Sequence, residues 1–145
     1  MTGSLRTLVR MNDIATLRRI LGACKTVAVV GLSPQWHRPS FFAAKYLRAH
    51  GYRIVPVRPL VDAVLGEQAY ASLADIPFPV DLVDVFRAAE HVPAIVEQCL
   101  ALHLPAIWIQ EGIVHEDAAQ RAQAGGMTVV MDRCLLKEYV RLKTE

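Results

Sequence analysis

The sequence predicts an α/β fold: three layers, doubly wound, around a five-stranded parallel sheet. Two observations carry this. Short Val/Ile-rich runs alternate with longer amphipathic runs along the chain. Those short runs show little polar alternation, which is the pattern of strands covered on both faces, and crossovers at this spacing are parallel and right-handed. With 145 residues, 53% of them hydrophobic and 21% charged, the chain has enough apolar surface for one substantial core. We therefore expect a single domain over residues 1–145, with residues 1–11 as a flexible N-terminal segment.

The elements follow in order. Ile14, Leu17 and Leu21 share one helical face, with Asn12 or Asp13 available as N-cap and Gly22 as the stop. The next strand covers residues 26–30, followed by a helix at 40–50 and a strand at 53–57. Gly51 sits where a left-handed residue would end a helix. Between Pro59 and Pro79 the crossover is irregular, with short helical turns expected at residues 61–65 and 72–75 and prolines limiting what surrounds them. Strands at 82–86, 106–109 and 127–131 then alternate with helices at 88–102, 116–124 and 134–142, and the Gly125-Gly126 pair stops the helix before the last strand.

The formal charge is +2, but it is unevenly placed. Residues 1–72 hold 10 Lys/Arg against 3 Asp/Glu, and residues 73–145 hold 6 against 11. The basic half favours an anionic ligand, while no basic run is dense enough for a nucleic-acid tail, so no nucleic-acid partner is expected. Cys24, Cys99 and Cys134 are odd in number and form no Cys-x-x-Cys pair, which suits a reducing compartment. No signal-peptide pattern opens the sequence and no apolar stretch approaches the ~20 residues a bilayer span needs. A cytoplasmic protein without membrane partners is expected, and small domains of this architecture often pair as homodimers.

In an open parallel sheet the ligand lies beyond the carboxyl ends of the strands, where the winding reverses. The first exit is the most informative: the apolar run ends abruptly at Gly31, followed by Leu32, Ser33 and the basic Arg38. A bare glycine there lets a ligand approach the backbone, and a following helix can turn free N–H groups toward an anion, so a small nucleotide is the natural guest. Ser33 offers a hydroxyl, Arg38 a bidentate cation, and Ser40 either a helix cap or a ligand contact. The second exit is Val57-Arg58-Pro59. An NAD site would place an acid about 20 residues past the loop, whereas Arg58 suits a ribose carrying a phosphate, as in NADP or coenzyme A. At the third exit Phe86 reads as core before adenine platform, and Arg87 as a charge partner. Gln110 and Glu111 mark the fourth exit. Trp108 lies within an apolar strand and reads as core; Trp36, in the polar loop, either covers a ligand or packs on the domain edge.

The residues nominate no catalytic machinery. Gly31-Leu32-Ser33-Pro34-Gln35 resembles a nucleophile elbow only superficially, because Gln35 stands where a second glycine belongs. His37, His50, His91, His103 and His115 lack metal-ligand spacing. Cys134 is either the first residue of the last helix, where a thiol's pKa falls, or a buried structural thiol.

Taken together, Val27-Ala28-Val29-Val30-Gly31-Leu32-Ser33, Arg38-Pro39-Ser40, the run from Gly51 to Pro59, Asp84-Val85-Phe86-Arg87, the run from Ile107 to Ile113 and Met131-Asp132-Arg133-Cys134 resemble the small single-domain CoA-binding proteins related to the N-terminal domain of the succinyl-CoA synthetase alpha subunit. The resemblance runs from about Ile14 to Leu142. It implies a Rossmann-like domain that binds coenzyme A or an acyl-CoA. In that reading the loop at Gly31, Leu32 and Ser33, with Arg38 and Ser40, holds the phosphates, Val57, Arg58 and Pro59 border the adenosine, and the turn at Gln110 and Glu111 lies along the CoA arm. The family usually has Asn where this chain has Arg58, which either strengthens contact with a 3′-phosphate or fills the adenosine site. The synthetase's phosphorylated histidine belongs to a second domain, so ligase activity is not implied. An alternative is a small NADP-binding reductase, or a CoA-transferase or ligase subunit whose catalysis a partner chain supplies; a third is a pocket that has lost its ligand.

Overall fold

The computed structural model describes residues 12–143; the expectation for residues 1–11 lies outside them. In chain order the main elements are α1 (Ile14–Ala23), β1 (Thr26–Val30), α2 (Pro39–Ala49), β2 (Arg53–Val57), the two-residue strands β3 (Ala63–Val64) and β4 (Glu67–Gln68), β5 (Leu82–Val85), α3 (Val92–Ala101), β6 (Ala106–Ile109), α4 (Glu116–Ala124), β7 (Thr128–Met131) and α5 (Leu135–Lys143). Five strands form a parallel sheet in the order β2-β1-β5-β6-β7. Winding runs one way from β1 to β2 and the other way from β5 onward, so the reversal lies between β1 and β5.

Alternation along each strand sorts the core into two layers. Val27, Val29, Leu82, Trp108 and Val130 pack with Leu17 and Ile20 of α1, Ala44 and Leu47 of α2, and Leu135 and Leu142 of α5. Ala28, Val30, Val83, Val85, Ile107 and Ile109 pack on the opposite face with Val92, Ile95 and Val96 of α3 and Ala118, Ala119 and Ala122 of α4. This is the expected three-layer α/β architecture. Trp108 is fully buried, and its indole N–H donates to the Arg133 carbonyl at 2.8 Å, so the core reading of that residue holds without an orphaned donor.

Several boundaries differ from the sequence reading. Gly22 does not stop α1, which continues to Ala23 and closes with the Cys24 N–H on the Ile20 carbonyl. Asp13 is the cap, its carboxylate accepting from the Thr16 N–H at 2.8 Å, while the Asn12 amide donates to and accepts from the Met131 backbone at the edge of β7. Ile14, expected on the inner face, is half exposed. The expected helix at 88–102 is a 3-10 turn (Ala89–His91) followed by α3, whose second residue, Pro93, sets the start because it needs no N–H partner there. Residues 61–65 form no helical turn: β3 and β4 pair antiparallel, with Leu65 (φ 56°) and Gly66 (φ 75°) making the two-residue reversal that suits a hairpin. The second expected turn is present as a 3-10 helix (Leu73–Asp75). The chain between them is tied to β2, with the Arg58 N–H on the Tyr70 carbonyl at 2.8 Å and the Tyr70 N–H on the Pro56 carbonyl at 2.9 Å. No helix among the described residues is long and apolar enough to cross a membrane.

Candidate functional site

The exit of β1 is shaped by what Gly31 must do. Its φ is +89°, and a Cβ there would lie 2.6 Å from the Phe86 carbonyl oxygen. Only glycine lets β1 turn away from β5 at this approach. The turn is then closed from within: the Gly31 N–H donates to the Val57 carbonyl at 3.0 Å, and the Ser33 N–H donates to Ser40 Oγ at 3.0 Å. These two amides are engaged inside the protein, unlike the outward-turned donors the sequence reading expected. The hydroxyls take their place. Ser33 Oγ accepts from the Gln35 N–H at 3.1 Å and Ser40 Oγ from the Ser33 N–H, so each keeps its own O–H hydrogen to donate.

Around them lies a cleft of about 390 Å³ at the reversal point, lined by Gly31, Ser33, Pro34, Gln35, Arg38, Pro39, Ser40, Arg58 and Phe86. Three strand exits thus meet in one cavity. Arg38 stands just ahead of α2, its Nε donating to Gln35 Oε1 at 3.2 Å, and Pro39 opens the helix without an unsatisfied N–H. Two guanidinium groups and two hydroxyls line this cleft and, among the described residues, no acidic side chain does, a donor set suited to an anion.

Pro39 and Phe86 also wall a second cavity of about 550 Å³, lined further by Phe42, Ala43, Arg87, Ala88, Gln110, Glu111, Ile113, Cys134, Leu136 and Lys137. Its lining is mostly apolar, and Lys137 pairs with Glu111 at 2.8 Å at its rim. Phe86 is therefore neither plain core nor a free platform: half-buried against the α1, α2 and α5 layer, it is the partition between the two cavities. Cys134 immediately precedes α5 and is half-buried on the second cavity's wall. Burial holds the other two thiols protonated, pushing Cys24 up to about 11 and Cys99 up to about 12.

Not every predicted site residue joins these cavities. Leu32 is fully buried among the core side chains and lines neither cavity. Val57 is buried too, and with Pro59 it borders a further hollow of about 240 Å³ against α3, which shares Arg87 with the second cavity. Trp36 is 79% exposed rather than packed on the domain edge, touches His37 edge-on at 5.8 Å between ring centroids, and lines neither cavity.

One buried residue received no role from the sequence. Asp84, in the middle of β5, is 1% exposed, and Gln110 Nε2 donates to its Oδ1 at 2.5 Å. Desolvation pushes the Asp84 carboxyl up to about 7, with the Gln110 hydrogen bond acting against that. The pair lies directly behind the Gln110 corner of the second cavity. Its signal was present in the sequence as a carboxylate inside the otherwise apolar run Leu82-Val83-Asp84-Val85.

A family profile described as a CoA binding domain matches residues 25–140. An uncharacterized protein, YneT, of Bacillus subtilis is 41% identical over 121 residues, spanning 83% of this chain and 90% of that protein. An ADP-forming acetate–CoA ligase II of Archaeoglobus fulgidus is 35% identical over 77 residues, which are 52% of this chain and 11% of the ligase. Among solved structures, a hypothetical protein from Pyrococcus horikoshii superposes with a TM-score of 0.86 at 34% identity, covering 89% of this chain and 91% of that one. With the sheet reversal, the glycine turn and the match across nearly the whole described chain in agreement, this protein belongs to the CoA-binding domain family.

Proposed function

We propose that the chain binds coenzyme A or an acyl-CoA as a binding module, without catalysis of its own. The observation that carries this is the convergence of Arg38, Arg58, Ser33 and Ser40 on one cleft beside Gly31. The donor set fits the group. Two hydroxyls and the Arg38 guanidinium suit a diphosphate, and Arg58, from the neighbouring strand exit, suits the ribose phosphate. The apolar cavity past Phe86, with Gln110 as its polar corner, suits a neutral amide-bearing arm. CoA would supply its own thiol chemistry, and the protein's part is to bind and orient it.

Titration calorimetry with CoA, dephospho-CoA and NADPH tests this. CoA should bind about tenfold more tightly than dephospho-CoA, since a charge-assisted hydrogen bond contributes roughly 1.5–3 kcal/mol and Arg58 is only partly buried. Arg58→Ala should close that gap. Equal binding of the two by the unaltered protein would remove Arg58 from the site; no heat with CoA, or tighter binding of NADPH, would overturn the whole reading.

A further inference from the structure

The buried pair behind the apolar cavity has an unused face. Gln110 is 4% exposed, and its Nε2 donates to Asp84 Oδ1 at 2.5 Å. Among the described residues, only Gln123 Oε1 is a side-chain oxygen or nitrogen both sealed from solvent and without a partner. Gln110 Oε1 also bonds to nothing, so it is open, and the opening is the cavity of about 550 Å³ that Gln110 lines. A deeply buried amide with one end unbonded and turned into an apolar cavity points to a polar atom of a guest.

What that amide offers depends on Asp84. Val29 on β1 and Trp108 on β6 flank Asp84 in the sheet. Val29 has no polar side-chain atom, and the Trp108 indole is taken up by the Arg133 carbonyl, so Gln110 is the side chain on which the carboxyl depends. An ionised carboxylate only accepts; it holds Nε2 and leaves Oε1 facing the cavity. A protonated carboxyl has an O–H to place, and Gln110 Oε1 is the side-chain acceptor within reach. The last torsion of a glutamine is broad and two-fold, and the two ends of its amide are alike in size, so the group can turn over without repacking. The cavity then meets N–H donors where it had met an oxygen.

Filling the cavity favours the second state. Burial already dominates the Asp84 carboxyl and pushes it up to about 7. A guest that displaces water from in front of Gln110 adds desolvation of the same sign. The titratable groups on the cavity walls are Arg87 from the β5 exit, Glu111 from the β6 exit, and Cys134 and Lys137 from the start of α5. The side chains brought by α2 to the cavity and by α1 to this layer of the core carry no charge. Glu111 and Lys137 pair with each other, and Glu138, farther along α5, is held by Arg141. Burial and Gln110 move the Asp84 carboxyl; none of these other groups does.

We propose that Asp84 is a positioning residue for ligand binding: ionised, it holds the Gln110 carbonyl oxygen toward the cavity, and on taking a proton from solvent it reverses the amide, so that the cavity receives a carbonyl oxygen of an acyl-CoA against the Gln110 N–H groups. The identity of the ligand rests on the CoA reading proposed above. Binding then carries a proton to Asp84, and no bond to the ligand is made or broken.

Two measurements test this. In the free protein, NMR of the Gln110 side chain from about pH 9 down to about pH 5 should show a transition with its midpoint near 7. The amide protons should move upfield as they lose the carboxylate, and Cδ downfield as Oε1 gains an O–H donor. Asp84→Asn, neutral throughout, should abolish both movements. A Cδ resonance that stays in place in the parent overturns the proposal, because Asp84 would then titrate without turning the amide. Octanoyl-CoA binding is next measured by calorimetry in parent and Asp84→Asn at about pH 6 and about pH 8. The parent-to-variant ratio of affinities, in which the titration of the ligand's own phosphates cancels, should be about tenfold higher at pH 6, since a group with its midpoint near 7 is mostly protonated there and mostly ionised at pH 8. A ratio that is flat with pH, or that rises toward pH 8, overturns the coupling and leaves CoA binding intact. No heat with octanoyl-CoA in either protein overturns the CoA reading and the ligand half of this proposal with it, while the Cδ titration still decides whether Asp84 turns the amide.

Discussion

The two adjoining cavities at the carboxyl edge share Pro39 and Phe86 and otherwise have opposite chemistry. One gathers two guanidinium groups, two serine hydroxyls and Gln35; the other gathers Phe42, Ala43, Ile113 and Leu136, with its charges at the rim. A ligand spanning both must be densely charged at one end and largely neutral at the other. CoA has that polarity along its length, whereas NADP carries polar groups at both ends. The contrast favours the CoA reading over the alternative that the sequence left open, and it can be attacked residue by residue.

Gly31→Ala attacks it hardest, because it acts on the shared wall. The new methyl group would have to displace the Phe86 backbone from 2.6 Å while holding a left-handed φ. Left-handed backbone costs about 1–2 kcal/mol and overpacking about 1–3 kcal/mol, so a loss of about 3 kcal/mol is expected in urea unfolding, together with loss of CoA binding. A loss under about 1 kcal/mol would mean that the β1 and β5 exits separate easily and that Phe86 is no fixed partition.

Asp84→Asn tests the buried partner of Gln110, the polar corner of the apolar cavity, with a smaller effect. The folded carboxyl titrates near 7 against an ordinary 3.8, so the folded chain keeps a proton that the unfolded chain releases. Stability from this group is then greatest below about pH 4, falls as pH rises from about 4 to 7, and is flat above. Asn is neutral throughout and still accepts from Gln110. The variant should be more stable than its parent at pH 8, by on the order of 2 kcal/mol, with the advantage shrinking toward pH 4. A pH-independent difference in thermal midpoint would show that Asp84 does not titrate in this range.

How much of this was legible in the sequence depends on the range of the forces involved. β1, β2, β6 and α4 fall on their expected residues, because Val/Ile runs and helical periodicity are local signals. The hairpin at β3 and β4 was missed, since its pairing rests on a Leu65-Gly66 reversal and on Tyr70 bonding to β2, and neither shows in hydrophobic periodicity. Gly31, Ser33, Arg38, Ser40, Arg58 and Phe86 do share a cavity, as strand-exit reasoning expected. Which of their atoms remain available was not readable: the Gly31 and Ser33 amides are already bonded to Val57 and Ser40, which leaves the two serine hydroxyls among the donors of the cleft. Val57 lines neither of the two cavities for a related reason, as alternation along β2 turns its side chain to the α3 face, away from Arg58.

The sharpest discrimination between the two cavities carries the smallest effect. Arg38 and Phe42 are both exposed and lie four residues apart at the start of α2, one on the charged cleft and one on the apolar cavity. Arg38→Ala should weaken CoA and octanoyl-CoA alike, by about fivefold, and should flatten the dependence of affinity on salt, because exposed charges are screened. Phe42→Ser removes only apolar contact. With Phe42 already 61% exposed, the remaining burial is worth well under the full aromatic value, so a loss of about threefold is expected for octanoyl-CoA, with CoA affinity and salt dependence unchanged. If Phe42→Ser instead weakened both ligands equally, the apolar cavity would not be where the acyl end goes, and the opposed chemistry of the two cavities would need a different ligand to account for it.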